Sequence, residues 1–525
     1  MSDVRTEQAV SAAATAARGS TGPGKVFLVG AGPGDAKLIT VRGMEALEQA
    51  DVILYDRLAN PRLLDYARDD AERIYVGKMP DRHTLTQEEI NVLLVEKALE
   101  GKTVVRLKGG DPCVFGRVGE EAEALAAHGI PFEIVPGITA GIAVPAYAGI
   151  PVTHRDVNAT VAFVTGHERP DKETSSINWA KLATAVDTLV FYMGVGNLPF
   201  IVEQLLAHGR APDTPVAVIR WGTLPEQETV TGTLATIVER VRAAGLKPPA
   251  ITVVGDVVRL REKLAWYEKK PLFGKRVLVT RARAQASDLS RLIAELGGEP
   301  VEFPVIRLVP PRNPAPLDAA LDRLGDFDWV IFTSTNGVAF FFRRLRERGI
   351  DIRTMARARV AAVGPKTAEA LEEKGMRVEL LPQRFDGDAL AEALAGKVKA
   401  GDRVLLPRAD IARKALPEAL RALGAEVTEA DTYDNVIDAR GADEVAALLR
   451  EGRIHVVTFT SSSTVRNFVE ALKDHDVPAL LDGVTVACIG PVTAKTAEAL
   501  GLRVDAVAEE ATIEGLVRAI GGGAR

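Results

Sequence analysis

Cysteine is nearly absent: Cys113 and Cys488 are the only two in 525 residues, far apart and without CxxC spacing. That excludes a disulfide framework and a cysteine-based zinc site, and it fits a reducing cytoplasm. Positive charge is not in excess either. A net charge of −6 gives no global reason to bind nucleic acid, so an anionic substrate must be held by local arginines. Uninterrupted apolar runs are also missing. Ile134–Val152 is uncharged over nearly a bilayer's length, but Pro136, Gly137, Gly141, Pro145, Gly149 and Pro151 break it, so it reads as buried turn and ligand wall rather than a membrane span. Residues 1–24 are rich in Ala, Ser, Thr and Gly, lack the basic start and apolar core of a signal peptide, and read as a disordered tail.

The phosphate signatures are missing too. Neither of the two acidic glycine loops ends in GK[ST], and VGAGPGD (Val29–Asp35) is not a GxGxxG fingerprint, because Pro33 interrupts it and Gly34 comes one place early. What stands instead is VVRLKGGDPCVFGRVGEE, Val104–Glu121. Its β-branched run predicts a short buried strand over Val104–Leu107, and Gly109 and Gly110 let backbone approach a ligand at the carboxyl end of that strand. Asp111 here and Asp35 in the first loop would repel phosphate. Two acidic glycine loops suit a ligand with hydroxyls and positive charge, such as a nucleoside bearing a sulfonium and an ammonium. The alternative is that Asp35 and Asp111 are turn or N-cap residues only.

From Lys25 onward strands and helices alternate, the grammar of an α/β protein: KVFLVG, a helix over Arg42–Gln49, ADVILYD ending at Asp56, a strand over Arg73–Val76, and a helix over Glu120–His128 stopped by Gly129. The two acids opening that last helix suit its dipole. FEIVPGITA, TVAFVTGH, TLVFYMGVG and PVAVIRWGT continue the series, most ending in glycine or a small polar residue. Asp56 and Lys78, each near a strand end, are either surface turn residues or together an acid and base pair. His154 and His167 lack partner spacing and read as solvated or hydrogen-bonded structural residues.

VGAGPGD, ADVILYDRL, VVRLKGGDPCVFGR, VPGITAG, AYAGIPVTHR, FVTGH and FYMG stand in the order found in uroporphyrinogen-III C-methyltransferases, a family of the tetrapyrrole methylase superfamily, which residues 24–264 resemble. Val118 departs from the GRGGEE usual there. The resemblance implies a two-lobed tetrapyrrole methylase fold over 25–268, S-adenosylmethionine as methyl donor, no metal, uroporphyrinogen III methylated twice to precorrin-2, and a homodimer through this half. By motif it implies donor contacts at Pro33, Gly109, Gly110, Asp111, Val114, Thr139, Ala140, Met193 and Gly222, with Asp56 as base and Lys78 as acid. The acceptor's rim of carboxylates calls for arginines, which pair carboxylates bidentately; Arg57, Arg106, Arg117 and Arg155 are the candidates, each otherwise a surface arginine.

KKPLFGK, residues 269–275, reads as a linker. Beyond it the chain repeats itself. VLVTRARAQASDLSRLIAELGGEPVEFP from Val277 is echoed by VLLPRADIARKALPEALRALGAEVTEAD from Val404, VIFTSTNGVAFFF by VTFTSSSTVRNFV, and VAAVGPKTAEALEEKGMRV by VACIGPVTAKTAEALGLRV, which predicts two related α/β lobes and a cleft between them. Thr333, Ser334, Thr367, Ser461 and Thr493 fall at strand ends or helix starts. Any one of them alone is an N-cap; as a duplicated set facing one cleft they are better read as carboxylate-binding hydroxyls. FTS, VGPKTAEAL, LPRADIARKALPEAL and TYDNV resemble uroporphyrinogen-III synthase over about 277–520. That implies a duplicated two-lobed fold over 276–525, with lobe 1 about 276–306 plus 435–525 and lobe 2 about 307–434. It also implies cyclisation of hydroxymethylbilane with loss of water, and a role for Tyr433 in helping the hydroxyl leave.

The two resemblances together predict a cytoplasmic bifunctional enzyme acting on small tetrapyrroles, without nucleic-acid or membrane partners, on the route to sirohaem or cobalamin. The rival expectation is a methyltransferase of another corrinoid precursor joined to a non-catalytic tetrapyrrole-binding module.

Overall fold

The structure, a computed structural model, describes residues 22–77, 85–167, 175–281, 283–409 and 415–522. Lys78 and most of the N-terminal tail lie outside these residues. Contacts divide the chain into two compact units, Met1–Lys275 with Glu295–Glu299, and Arg276–Ala294 with Pro300–Arg525. Among the described residues no helix is long and apolar enough to cross a membrane.

The first unit holds two five-stranded sheets. In the first, β1 (Val26–Gly30), β2 (Val52–Tyr55), β3 (Glu72–Tyr75), β4 (Val104–Lys108) and β5 (Phe132–Val135) lie in the order β3-β2-β4-β1-β5, all parallel. Side chains alternate across a strand, and here the alternation feeds two cores. Phe27, Val29, Ile53, Val105 and Leu107 face one side with Ala46 and Leu47 of the helix Val41–Glu48. Val26, Leu28, Val52, Leu54 and Val104 face the other with Leu94 of the helix Gln87–Leu99 and Leu125 of the helix Val118–Ala127. Each Leu, Ile or Val so buried contributes about 1.5–3 kcal/mol, so β1 and β4, buried along their whole length, are fixed by packing on both faces.

The second sheet runs β6-β7-β10-β8-β9, from β6 (Val161–Thr165), β7 (Thr188–Tyr192), β8 (Pro215–Arg220), β9 (Glu228–Thr233) and β10 (Ala250–Val254). Only β6 and β7 pair in parallel; the other pairs are antiparallel. One of its faces receives Val144, Ala148 and Ile150. Here the expectation for Ile134–Val152 needs correcting. The segment is not all turn: it completes β5 and then forms a helix, Ala140–Tyr147, with Pro145 inside it.

The second unit carries two more five-stranded sheets. One contains β11 (Arg276–Val279), β12 (Glu299–Glu302), β18 (Val456–Phe459), β19 (Thr485–Cys488) and β20 (Ala506–Val507), ordered β12-β11-β18-β19-β20. The other contains β13 (Ile306–Val309), β14 (Trp329–Phe332), β15 (Arg359–Ala362), β16 (Arg403–Ala409) and β17 (Glu426–Ile437), ordered β13-β17-β16-β14-β15. The internal repeat explains both. β11, β14 and β15 open the first copy and β16, β18 and β19 the second, yet β11 pairs with β18 while β16 pairs with β14. Each copy lends its first strand to the other's sheet, so the chain crosses between the sheets twice.

Candidate functional site

Three loops leave the first sheet side by side because β1 pairs with both β4 and β5: Gly30 lies beside Lys108 and Val29 beside Val135. Gly32 and Gly110 bond each other in both directions, the N–H of Gly32 donating at 3.1 Å and that of Gly110 at 2.6 Å. A Cβ on Gly30 would sit 2.6 Å from Gly137 Cα and 2.7 Å from the Gly110 carbonyl, so three backbones meet where no side chain fits. Asp111 fastens the third loop to the second. Its two carboxylate oxygens accept the Cys113 N–H at 2.8 Å and the Gly137 N–H at 2.9 Å. Asp35 likewise caps Lys37 N–H at 3.0 Å and accepts the Tyr147 hydroxyl at 3.0 Å. Both carboxylates hold loops, as turn residues do, and both stand at the sheet edge where the chain's other candidate contacts gather.

The second sheet closes this edge. The Asp35 N–H donates to Thr223 Oγ1 at 3.0 Å, and a Cβ on Gly34 would lie 2.9 Å from that hydroxyl, which places Gly34, the residue after Pro33, against the turn after Gly222. Gly222 itself packs under Val144, where a Cβ would come within 2.3 Å of a methyl. Met193 follows β7 in a left-handed conformation, φ 56°, with 54% of its surface exposed, and Val114 and Ala140 pack on the core that contains Tyr192 and Val144. Pro33, Gly109, Gly110, Asp111, Val114, Thr139, Ala140, Met193 and Gly222 are thereby brought to one region.

Tyr192 also joins the sheets, and sequence reasoning missed it. Its hydroxyl lies 2.6 Å from Thr139 Oγ1 and accepts the Gly141 N–H at 2.7 Å, while the Phe115 ring stands 5.1 Å away. Burial raises its phenol above the ordinary range, so it stays a neutral donor and acceptor. Tyr192→Phe leaves two buried polar groups unpaired and is expected to cost about 1–3 kcal/mol of the unit's stability by denaturant titration. An unchanged midpoint would contradict the pairing.

Asp56 ends β2 in a turn that touches the glycine loop: a Cβ on Gly109 would lie 2.5 Å from Leu58 Cβ. One Asp56 oxygen accepts the Leu58 N–H at 3.0 Å and the other meets Arg106 Nη2 at 3.3 Å. Gly77 packs against the Arg57 backbone, a Cβ there lying 3.0 Å from Arg57 N; the next residue, Lys78, lies outside the described residues. Of the four candidate arginines, Arg57, Arg117 and Arg155 are exposed, Arg117 pairing with Glu120 at 2.5 Å. Arg106 departs from expectation. It is 4% exposed and bonded to Asp56, Glu121 and the carbonyls of Leu54 and Leu107, so its guanidinium is committed inside the protein and not offered to a substrate carboxylate. His154 is held structurally, with its Nδ1 accepting the Asp156 N–H at 3.2 Å.

In the second unit Tyr433 lies on β17 where the register with β16 shifts, and its hydroxyl is 3.4 Å from Ser334 Oγ, with Phe340 5.3 Å from its ring. Ser334 caps the helix Thr335–Glu347 through the Gly337 N–H at 3.0 Å; Ser461 caps Ser462–Ala471 in a capping box with Thr464. Thr333, directly after β14, is partly buried. Thr367 and Thr493 occupy first turns of the helices Pro365–Glu372 and Pro491–Ala499, each 5% exposed. Each of these hydroxyls already has a place in the fold: Ser334 and Ser461 cap helices, and Thr367 and Thr493 are as buried as Tyr433, which is 6% exposed.

Comparison with known proteins follows these two units. The family model for tetrapyrrole (corrin/porphyrin) methylases matches residues 25–238, and that for uroporphyrinogen-III synthase HemD matches 287–518. A porphyrin biosynthesis protein HemD from Ruminiclostridium josui is 41% identical over 95% of this chain and 99% of its own. A uroporphyrinogen-III C-methyltransferase from Priestia megaterium is 61% identical over 45% of this chain and 98% of its own, and one from Bacillus subtilis (strain 168) is 49% identical over 68% of this chain and 72% of its own.

Proposed function

Because the chain belongs to the tetrapyrrole methylases over its first half and to the uroporphyrinogen-III synthases over its second, we propose that it is one bifunctional enzyme that makes precorrin-2 from hydroxymethylbilane. The second unit closes the linear tetrapyrrole to uroporphyrinogen III with loss of water. The first then methylates that macrocycle twice, acting as a homodimer through this unit. The observation that carries the reading is the joining of the two families in one chain, since the macrocycle made by one is the acceptor of the other.

In the first unit the residues fit S-adenosylmethionine: Asp111 beside three glycine-lined backbones, Thr139 and Ala140 at a helix start, and exposed Met193 and Phe115 as an apolar wall. Bound there, the sulfonium supplies an electrophilic methyl group. Transfer to a pyrrole carbon is an in-line displacement that needs positioning and exclusion of water more than it needs a metal. Each transfer adds a methyl to carbon, so a proton must leave the macrocycle. Asp56, partly exposed at the end of β2 beside Gly109, is the base that takes it; where Lys78 gives a proton to one ring atom, a second is lost from another, so each transfer still releases one proton net. Arg57, Arg117 and Arg155, all exposed, are the arginines that pair the acceptor's carboxylates, Arg117 exchanging its bond to Glu120 for one to substrate.

In the second unit Tyr433 and Ser334 form a hydroxyl pair suited to hydrogen-bonding a departing hydroxyl. Tyr433→Phe is expected to slow ring closure about tenfold in a coupled assay, the loss of about one hydrogen bond to a leaving group; an unchanged rate would remove Tyr433 from the reaction. The function as a whole is tested by supplying uroporphyrinogen III and methyl-labelled donor. Two labelled methyls per macrocycle are expected, whereas no label in uroporphyrinogen III with label in another corrinoid precursor would overturn the assignment.

A further inference from the structure

Glu121 lies in the first turn of the helix Val118–Ala127 but points back at β4, and it is fully buried. Its Oε1 accepts from Lys108 Nζ at 2.6 Å, Arg106 Nε at 3.3 Å and Gln87 Nε2 at 3.1 Å. Its Oε2 has no hydrogen-bond partner among the described residues. Arg106 continues the chain, its far nitrogen reaching Asp56 Oδ2 at 3.3 Å while Nη1 is fixed by the Leu107 carbonyl at 3.0 Å. Two acids and two cations thus run from a closed end at Glu121 to an open end at Asp56, whose side chain alone of the four keeps a quarter of its surface exposed.

Stability does not explain this arrangement. Buried ion pairs are often replaceable by apolar residues without loss, and desolvation here is heavy: burial lowers the Lys108 ammonium from its ordinary range, with Arg106 adding to the effect. The arrangement does explain how Arg106 is held. Without Glu121 the guanidinium would be held by the Leu54 and Leu107 carbonyls at Nη1 and by Asp56 at Nη2, leaving its Nε edge unheld and free to turn. Tethered on its other edge by Glu121, it leaves Asp56 a shared and partly open partner. Glu121 also balances one of the two positive charges behind Asp56.

We infer that Glu121 is a positioning residue for methyl transfer, acting through Arg106 on Asp56, with Lys108 as its balancing charge. This rests on Asp56 being the base. Other charged groups near the network are Arg117, at the start of Glu121's own helix and within electrostatic reach of Glu121, and Glu88 and Glu120, which act on Arg117. The helix Gln87–Leu99, packed against Glu121's helix, adds the amides of Gln87 and Asn91.

The test is the pH dependence of kcat for methylation of uroporphyrinogen III by the full chain. Glu121→Gln exposes Asp56 to uncompensated positive charge, and the acid limb should move about 1 pH unit down; Lys108→Met leaves excess negative charge and should move it about as far up. The double variant K108M/E121Q restores balance and should return the limb to its original place. KM for the donor should stay within about twofold throughout, because the donor's contacts are untouched. Limbs that stay put, or that move the same way in both single variants, would overturn the inference even if both variants melt at lower temperature. Should Glu121→Gln fail to fold, Lys108→Met alone decides: an upward shift supports the inference and an unmoved limb overturns it. Asp56→Asn separates the two readings. Wild-type methylation in that variant would refute Asp56 as base and this inference with it, whereas lost methylation with unshifted limbs would refute the positioning role alone.

Discussion

Asp111→Lys is expected to abolish binding of S-adenosylmethionine while leaving ring closure by the second unit intact. Asp111 accepts two backbone N–H groups, one within its own loop and one from Gly137 in the loop after β5. Hydrogen bonds to a charged acceptor contribute about 1.5–3 kcal/mol each, so losing both lets the glycine loops separate. The substitution also sets an ammonium where a cationic donor must come. Together these amount to a loss of more than about 10²-fold in affinity, at about 1.4 kcal/mol per tenfold. Asp111→Asn keeps the shape without the charge and should fall between. Calorimetric titration with the donor reads both, and normal affinity in Asp111→Lys would refute the placement of the site.

Asp56→Asn should have the opposite signature, with donor affinity retained and methyl transfer lost. A positioned base contributes about 10²–10⁴-fold, so kcat should fall by that range. The amide keeps the turn, because its oxygen can still accept the Leu58 N–H as Asp56 does now at 3.0 Å. Single-turnover methyl transfer at saturating donor is the measurement. A rate within about threefold of wild type would mean that proton removal is not done here, since a general base is worth far more than that.

Much of this site was legible in the sequence because strand ends announce themselves. An apolar β-branched run that stops at glycine predicted Val104–Leu107, and the strand is Val104–Lys108; the helix expected at Arg42–Gln49 spans Val41–Glu48. The internal repeat predicted paired lobes, and the sheets of the second unit contain one set of strands from each copy. What escaped depended on contacts between distant segments. Pro145 and five glycines and prolines nearby argued against a helix at Ala140–Tyr147, since proline removes a donor and crowds the preceding turn. The helix forms because Ala143, Val144 and Pro145 are buried and Tyr192 accepts the Gly141 N–H.

Tyr192 gave no signal of its own. In a run such as TLVFY it looks like any core aromatic, and only the approach of the second sheet gives its hydroxyl two partners. Glu120 and Glu121 looked alike as acids suited to a helix dipole, but a helix turns about 100° per residue, so one faces solvent beside Arg117 and the other faces Lys108 inside the protein. Arg106 was misjudged for the same reason. An arginine on a strand alternates toward one face or the other, and its face is covered by the helix that carries Glu121.

One chain is expected to perform two consecutive reactions. Purified protein given hydroxymethylbilane, with and without S-adenosylmethionine, tests it in a single vessel by following the macrocycle isomer and the methyl count. The prediction is a type III macrocycle without donor and a doubly methylated product with it. A type I macrocycle without donor, with methylation only when the type III isomer is supplied, would contradict it and leave a methyltransferase joined to a binding module.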